Sequence, residues 1–312
     1  MAAALDGADY VVHLAAETGT GQSMYEIAKY GETNMQGTAV LLDLIANAST
    51  RRVRRIVVAS SRAVYGEGAY VCGACDPGMR IYPETRTAEQ LRTHHWEFAC
   101  PSCGADMQAV ATREDDPMKP ASIYAATKCA QEHLVTASCR AMGIEFVNLR
   151  YQNVYGEGQS LNNPYMGLLT TFSTRLRRGL PLPLFEDGLE SRDFIHVDDA
   201  ADATVAALER DVAGLAINVG SGDNTSIREV ATQLAAAFGV AAEIGPTAEY
   251  RLGDIRHNYA DVGRMRTMLA FDPRVTLTEG IARFVAWTNT QPLPPDRSQA
   301  ANDEMKARQL MG

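Results

Sequence analysis

The chain has 312 residues, of which 46% are hydrophobic and 21% charged, ordinary globular usage that excludes a wholly disordered or fibrous chain. Its formal charge of -9 argues against a nucleic-acid binder, which carries a basic face, so any anionic ligand must be held by local arginines. No apolar run approaches the roughly 20 residues of a membrane span, and the opening Met-Ala-Ala-Ala-Leu-Asp lacks the basic start and apolar stretch of a secretion signal; the expectation is a soluble, cytoplasmic protein.

In chain order, the segment from Leu5 reads as the end of a helix followed at once by a short buried strand over residues 10–15. Residues 34–47 place Val40, Leu41, Leu44 and Ile45 at helical spacing, and residues 55–60 form an apolar, β-branched strand. A long helix over 122–142 leads into a strand over 145–150. Residues 194–197 run into a helix over 198–209, residues 215–219 are another buried strand, and 225–238 is an amphipathic helix with Thr225, Ser226 and Glu229 as its capping box. Such alternation gives an α/β fold, because parallel strands need long, usually helical, crossovers. The proline-rich and then charged stretch from residue 291 reads as a surface tail with one short helix.

Tyr124 and Lys128 lie four residues apart on the predicted helix and so share one face. An ammonium near a phenol favours phenolate, which lowers the tyrosine pKa toward the range of a general base. Ser60 and Ser61 follow directly on a strand, at the carboxyl end where open α/β sheets bind ligands. Four of the six cysteines fall in two Cys-x-x-Cys pairs, Cys72 with Cys75 and Cys100 with Cys103. That paired spacing reads as a tetrahedral four-sulfur zinc site, structural because it leaves no open position for water. His94 or His95 is the alternative ligand. Cys129 and Cys139, on the long helix, read as packed small residues.

The ordered set His13-Leu-Ala-Ala16, Asn34-x-x-Gly37-Thr38, Ser60-Ser61-x-x-Val64-Tyr65-Gly66, Tyr124-x-x-x-Lys128, Arg150-Tyr-x-Asn153-x-Tyr-Gly156, Arg192-Asp-Phe-Ile-His-Val-Asp198 and Asn218-Val-Gly-Ser-Gly222 resembles the extended short-chain dehydrogenase/reductases, the NAD-dependent epimerase/dehydratase family. It covers most of residues 1–290. The resemblance implies a doubly wound (Rossmann) parallel sheet with a small C-terminal substrate domain, an enzyme that uses NAD on a nucleotide-diphosphate sugar, and a homodimer. It divides the chain into Rossmann segments at 1–66 and 118–155, the zinc-binding insertion at 67–117, a substrate-binding part at 156–290 with some segments returning to the sheet, and a tail at 291–312.

Carried over by position, Tyr124 is the catalytic base, Lys128 tunes it and holds the nicotinamide ribose, and Ser61 hydrogen-bonds the reacting sugar hydroxyl. Leu14, Ala15, Ala16, Asn34 and Ser60 join Tyr124 and Lys128 as cofactor-binding residues. Asn153, Arg192, Arg251 and Asp254 join Ser61 as substrate-binding residues, the arginines gripping the diphosphate and nucleotide with their forked donors. The family's 4,6-dehydratases carry an Asp-Glu pair straight after the hydroxyl residue to eliminate water. Arg62 and Ala63 stand there in this chain, so the resemblance implies 4-epimerisation through a transient keto sugar. The stretch from Glu17 to Met24, the cysteine insertion and the Lys306-Ala-Arg-Gln-Leu tail are most similar to enzymes that epimerise dTDP-L-rhamnose; other nucleotide-sugar epimerases, including those acting on UDP-glucose, are the alternative.

The family's opening strand, glycine-rich turn and helix, which receive the NAD pyrophosphate, are not in the sequence, nor is the acidic residue after its second strand. By that comparison about 60 to 70 residues are missing before Met1. The strand at His13 is then expected to lack a neighbour and to leave an unpaired apolar edge. An NAD-incompetent protein that only binds the nucleotide sugar is the corresponding alternative.

Overall fold

The computed structural model describes residues 1–161 and 167–312. Four parallel strands, Tyr10–His13, Arg55–Ser61, Glu145–Tyr151 and Leu215–Val219, lie side by side in that order. Side chains of the Arg55–Ser61 strand alternate between two cores. Ile56 and Val58 pack with Leu41, Leu42, Ile45, Val135 and Phe146, whereas Val57 packs with Val147, Leu149, Ala203, Ala207 and Ile217. Both faces are therefore covered, which is why this strand is apolar at consecutive positions rather than alternating. Helices Gly37–Ala46 and Ile123–Met142 cover one face and Val197–Glu209 the other. The α/β architecture read from the sequence is the observed one.

The strand expected over residues 10–15 is shorter and only His13 in it is buried, while the unpaired apolar edge expected there is present. It spans Tyr10–His13 at the edge of the sheet, with His13 buried and Tyr10, Val12 and Leu14 exposed. Its apolar composition is that of a covered strand, but burial follows from strand order, and an edge position leaves these side chains open. The expected helix over 34–47 is the last part of a continuous helical run that begins at Ile27 and passes through a π-helical turn, Gly31–Gln36, which carries Asn34.

Ser122 caps the long helix by accepting from the Ala125 amide at 3.2 Å, and Gly143 ends it in the left-handed conformation with φ of 67°. Ser226 likewise caps Ile227–Phe238 through the Glu229 amide, at the predicted capping-box spacing. That helix packs with Leu168–Leu176 and Leu277–Thr290 around a further core of Leu169, Phe172, Leu184, Phe194, Leu234 and Phe284.

Several motif residues hold the frame rather than facing solvent. Arg150 forms a two-pronged buried pair with Glu132 and also donates to the Tyr65 hydroxyl, which donates to Asn218. Removing one member of such a pair leaves an uncompensated buried charge, typically a loss of about 3–5 kcal/mol. Asp193 accepts from the Ser221, Gly222 and Ala260 amides. Gly66 has φ of 62°, and a Cβ there would sit 2.2 Å from the Lys119 carbonyl oxygen, so the end of the Ser60–Gly66 motif requires glycine.

Residues 69–110 carry a small antiparallel sheet with a local core. Strands Asp76–Ile81, Ala69–Cys72 and Gln108–Val110 form an antiparallel sheet over a core of Tyr70, Cys72, Phe98, Cys100 and Met107. Glu97 ties it to the rest of the chain by pairing with Arg256, which also holds Glu186 and Asp187. The tail also departs from expectation. Helix Ser298–Ala307 buries Ala301 and Met305, and Met311 bridges to Arg251. It is packed structure because its two apolar residues, four apart, share one face. Among the described residues no helix is long and apolar enough to cross a membrane.

Candidate active site

A cavity of about 690 Å³ opens at the carboxyl ends of the parallel strands. Ser61, at the end of its strand, caps the following turn Arg62–Tyr65 by accepting from the Ala63 amide. Tyr124 enters from the first turn of the long helix, its amide held by the Ser23 hydroxyl at 3.1 Å. Its phenol is near enough to Ser61 for that hydroxyl to act on its pKa, and both residues line the cavity. Lys128, one turn on, is buried, lies 5.9 Å from the centre of the Tyr124 ring and donates to the Ala59 carbonyl at 2.8 Å.

Burial pushes the Tyr124 phenol above its ordinary value, and the groups that pull it down are the Ser61 hydroxyl and the charge of Arg62. Burial lowers the Lys128 pKa to about 8, and its Nζ donates to the Ala59 carbonyl. Tyr30 stands edge-on to Tyr124 with ring centres 6.5 Å apart and anchors the 18–19 backbone through its hydroxyl.

Of the residues expected to bind cofactor, Leu14, Ala16, Ser60, Tyr124 and Lys128 line the cavity. Ala15 is not among its lining. The Ser60 hydroxyl is turned to Glu132. Asn34 is fully buried and does not line the cavity; its amide group pairs with both backbone groups of Glu17 and with Thr127, which pins the loop after His13 to the long helix.

Of the residues expected to bind substrate, Asn153, Arg192, Arg251 and Asp254 all line the cavity. Arg192 spends its two Nη groups on the carbonyls of Ser191, Ile255 and Arg256. Arg251 donates to Asn302 at 2.9 Å and lies over the Phe185 ring at 4.3 Å. Neither guanidinium has a carboxylate partner among the described ion pairs.

The sequence reading missed three contributors. Arg62 lines the cavity beside Ser61, Phe185 offers a flat apolar face, and Ser298, Gln299, Asn302 and Met305 form a wall from the C-terminal helix. Arg62 was legible only as the absence of an acid, and the C-terminal wall had no local signal beyond a short polar helix.

The four cysteines converge. Their sulfurs all lie within 4.8 Å of one another, with Cys72 and Cys103 3.6 Å apart and Cys75 and Cys100 3.9 Å apart. A tetrahedron with zinc–sulfur bonds of about 2.3 Å has edges of about 3.8 Å, so the set fits zinc. Within the coupled set the Ser102 and Cys103 amides lower the Cys100 thiol, while hydrogen bonding to the other sulfurs raises Cys75. His94 and His95 are not part of the cluster. Cys129 and Cys139 are buried, and burial raises each to about 11, as packed thiols should be.

The model of the NAD dependent epimerase/dehydratase family matches residues 1–88 and 99–220. The chain belongs to that family. It is 40% identical over 280 residues to a dTDP-L-rhamnose 4-epimerase of Burkholderia thailandensis, covering 89% of this chain and 74% of that protein. Among solved structures, the UDP-N-acetylglucosamine 4-epimerase of Methanobrevibacter ruminantium in complex with UDP-N-acetylmuramic acid superposes with a TM-score of 0.74 at 25% identity, over 93% of this chain and 80% of that one. The UDP-glucuronic acid 4-epimerase of Bacillus cereus, in complex with UDP-glucuronic acid and NAD, does so with a TM-score of 0.72 at 26% identity, over 92% and 77%. The family match breaks at residues 89–98, between the two cysteine pairs.

Proposed function

We propose that this family member is a nucleotide-sugar 4-epimerase that uses NAD and converts dTDP-L-rhamnose to dTDP-6-deoxy-L-talose. The observation that carries the reading is one cavity with a hydroxyl pair at one end, Ser61 and Tyr124, and guanidinium groups without carboxylate partners, Arg192 and Arg251, along its wall. Cations left unpaired in an acidic protein imply an anionic ligand, and a diphosphate offers oxygens for both arginines. The likeness to the Burkholderia enzyme supports the choice of sugar.

The nicotinamide end of NAD fits the carboxyl ends of the strands, where Leu14, Ala16 and Ser60 line the cavity beside Tyr124 and Lys128. When bound, NAD supplies the acceptor and donor of one hydride. Tyr124, as phenolate, takes the proton of the C4 hydroxyl, with Ser61 hydrogen-bonded between phenol and sugar oxygen. Lys128, as ammonium, holds the nicotinamide ribose. After the keto sugar turns in the site, Tyr124 returns its proton to the same oxygen, so hydride returned to the opposite face leaves an inverted alcohol and no net redox change. Arg62 and Ala63 offer no acid–base pair for eliminating water, which separates this chemistry from dehydration. The zinc held by Cys72, Cys75, Cys100 and Cys103 is structural in this reading.

Incubation of the purified protein with NAD and dTDP-L-rhamnose is expected to accumulate the C4-inverted sugar, read by proton NMR. Release of a 4-keto-6-deoxy sugar from dTDP-glucose, with no inversion of any sugar, would overturn the assignment.

A further inference from the structure

The guanidinium groups on the cavity wall differ in how far the protein has already used them. Arg175 donates to Pro181, Asp296 and Ser298. Arg192 donates to three backbone carbonyls. Arg251 is held by Asn302 and by the face of Phe185. Arg62 makes one hydrogen bond, from Nε to the Asn153 Oδ1 at 3.2 Å, and its two Nη groups have no protein partner among the described residues. Asn153 in turn leaves its Nδ2 buried and unpartnered. An arginine has five donors in a fixed fork, and those of Arg62 that the protein leaves unmet are on the wall of the cavity, available to a ligand.

The surroundings of Arg62 indicate which part of a ligand that is. It follows Ser61 directly in the chain, and its charged and titratable neighbours are Arg192, Asp254, Tyr124 and Glu67. It thus joins the reacting end of the cavity to the end held by the other arginines. In a nucleoside diphosphate sugar the group at that junction is the β-phosphate, bonded on one side to the sugar and on the other to the α-phosphate. We propose that Arg62 is a further substrate-binding residue, whose free Nη donors grip the β-phosphate while Asn153 fixes the plane of its fork. This rests on the nucleotide-sugar reading above and adds to it a residue and a subsite.

The test compares binding of dTDP and dTMP to the full chain by calorimetry, which needs no turnover. The wild type is expected to bind dTDP more tightly than dTMP. Arg62→Met is expected to lose about 10- to 100-fold in dTDP affinity, the scale of a charge-assisted contact, with dTMP binding little changed. Arg62→Lys keeps the charge without the fork, so it guards against a folding defect and is expected to recover part of the loss. If both variants melt as the wild type does and keep its dTDP-to-dTMP ratio, the β-phosphate assignment is wrong and the nucleotide-sugar reading survives. If the wild type binds neither nucleotide, that reading fails and takes this one with it.

Discussion

Tyr124→Phe is expected to reduce turnover by about a hundred- to ten-thousand-fold, the range for loss of a general acid–base group, with nucleotide-sugar affinity nearly unchanged. The phenol lines the cavity beside Ser61, whose hydroxyl acts on its pKa. The substitution deletes one oxygen from a ring otherwise held by packing against Tyr30 and by the backbone bond to Ser23, so the fold has no reason to move. Because burial raises the Tyr124 phenol, the phenolate is scarce at low pH, and turnover is expected to climb as pH rises. Steady-state kinetics of the variant, with calorimetric binding of dTDP as the control, check this. A fall in affinity with turnover intact would place Tyr124 in binding and out of the chemistry.

Cys100→Ser is expected to release zinc and loosen the inserted unit. The wild-type protein should carry about one zinc per chain, since four sulfurs at these separations match one tetrahedral ion. The insertion's own core is a handful of side chains around Tyr70, Phe98 and Met107, too few to hold a segment of this length without a staple. Its loss should reach the cavity. Glu97, three residues before Cys100, holds Arg256; Arg256 and Arg86 share Glu186, and Arg86 also donates to the carbonyl of Asp254, a cavity residue. The variant should therefore show a lower melting temperature and a raised KM more than a lowered kcat. Less than half an equivalent of zinc in the wild type, unchanged in Cys100→Ser, would remove the metal from the account.

Much of the fold is local and was legible for that reason. Hydrophobic period, caps at Ser122 and Ser226, and the strand ending at Ser61 each depend on neighbours in sequence. Ser61, Tyr124 and Lys128 stand in motifs whose order along the chain points to one site, and all three line the cavity. What stayed hidden depends on partners far apart in the chain. Tyr65, Arg150 and Asn218 belong to the motifs, yet they sit in a buried network with Glu132 beneath the site. Asn34 carries no sign in its sequence context that its amide is spent on Glu17 and Thr127. The C-terminal helix becomes a cavity wall only because Asn302 meets Arg251 some fifty residues away in the chain.

The central claim is inversion at C4 by a hydride that leaves and returns without exchanging with water. Its most direct test is turnover of dTDP-L-rhamnose carrying deuterium at C4, in ordinary water, with product analysed by NMR and mass spectrometry. The account predicts dTDP-6-deoxy-L-talose that retains the deuterium at C4; product that has exchanged it for solvent hydrogen would contradict the account.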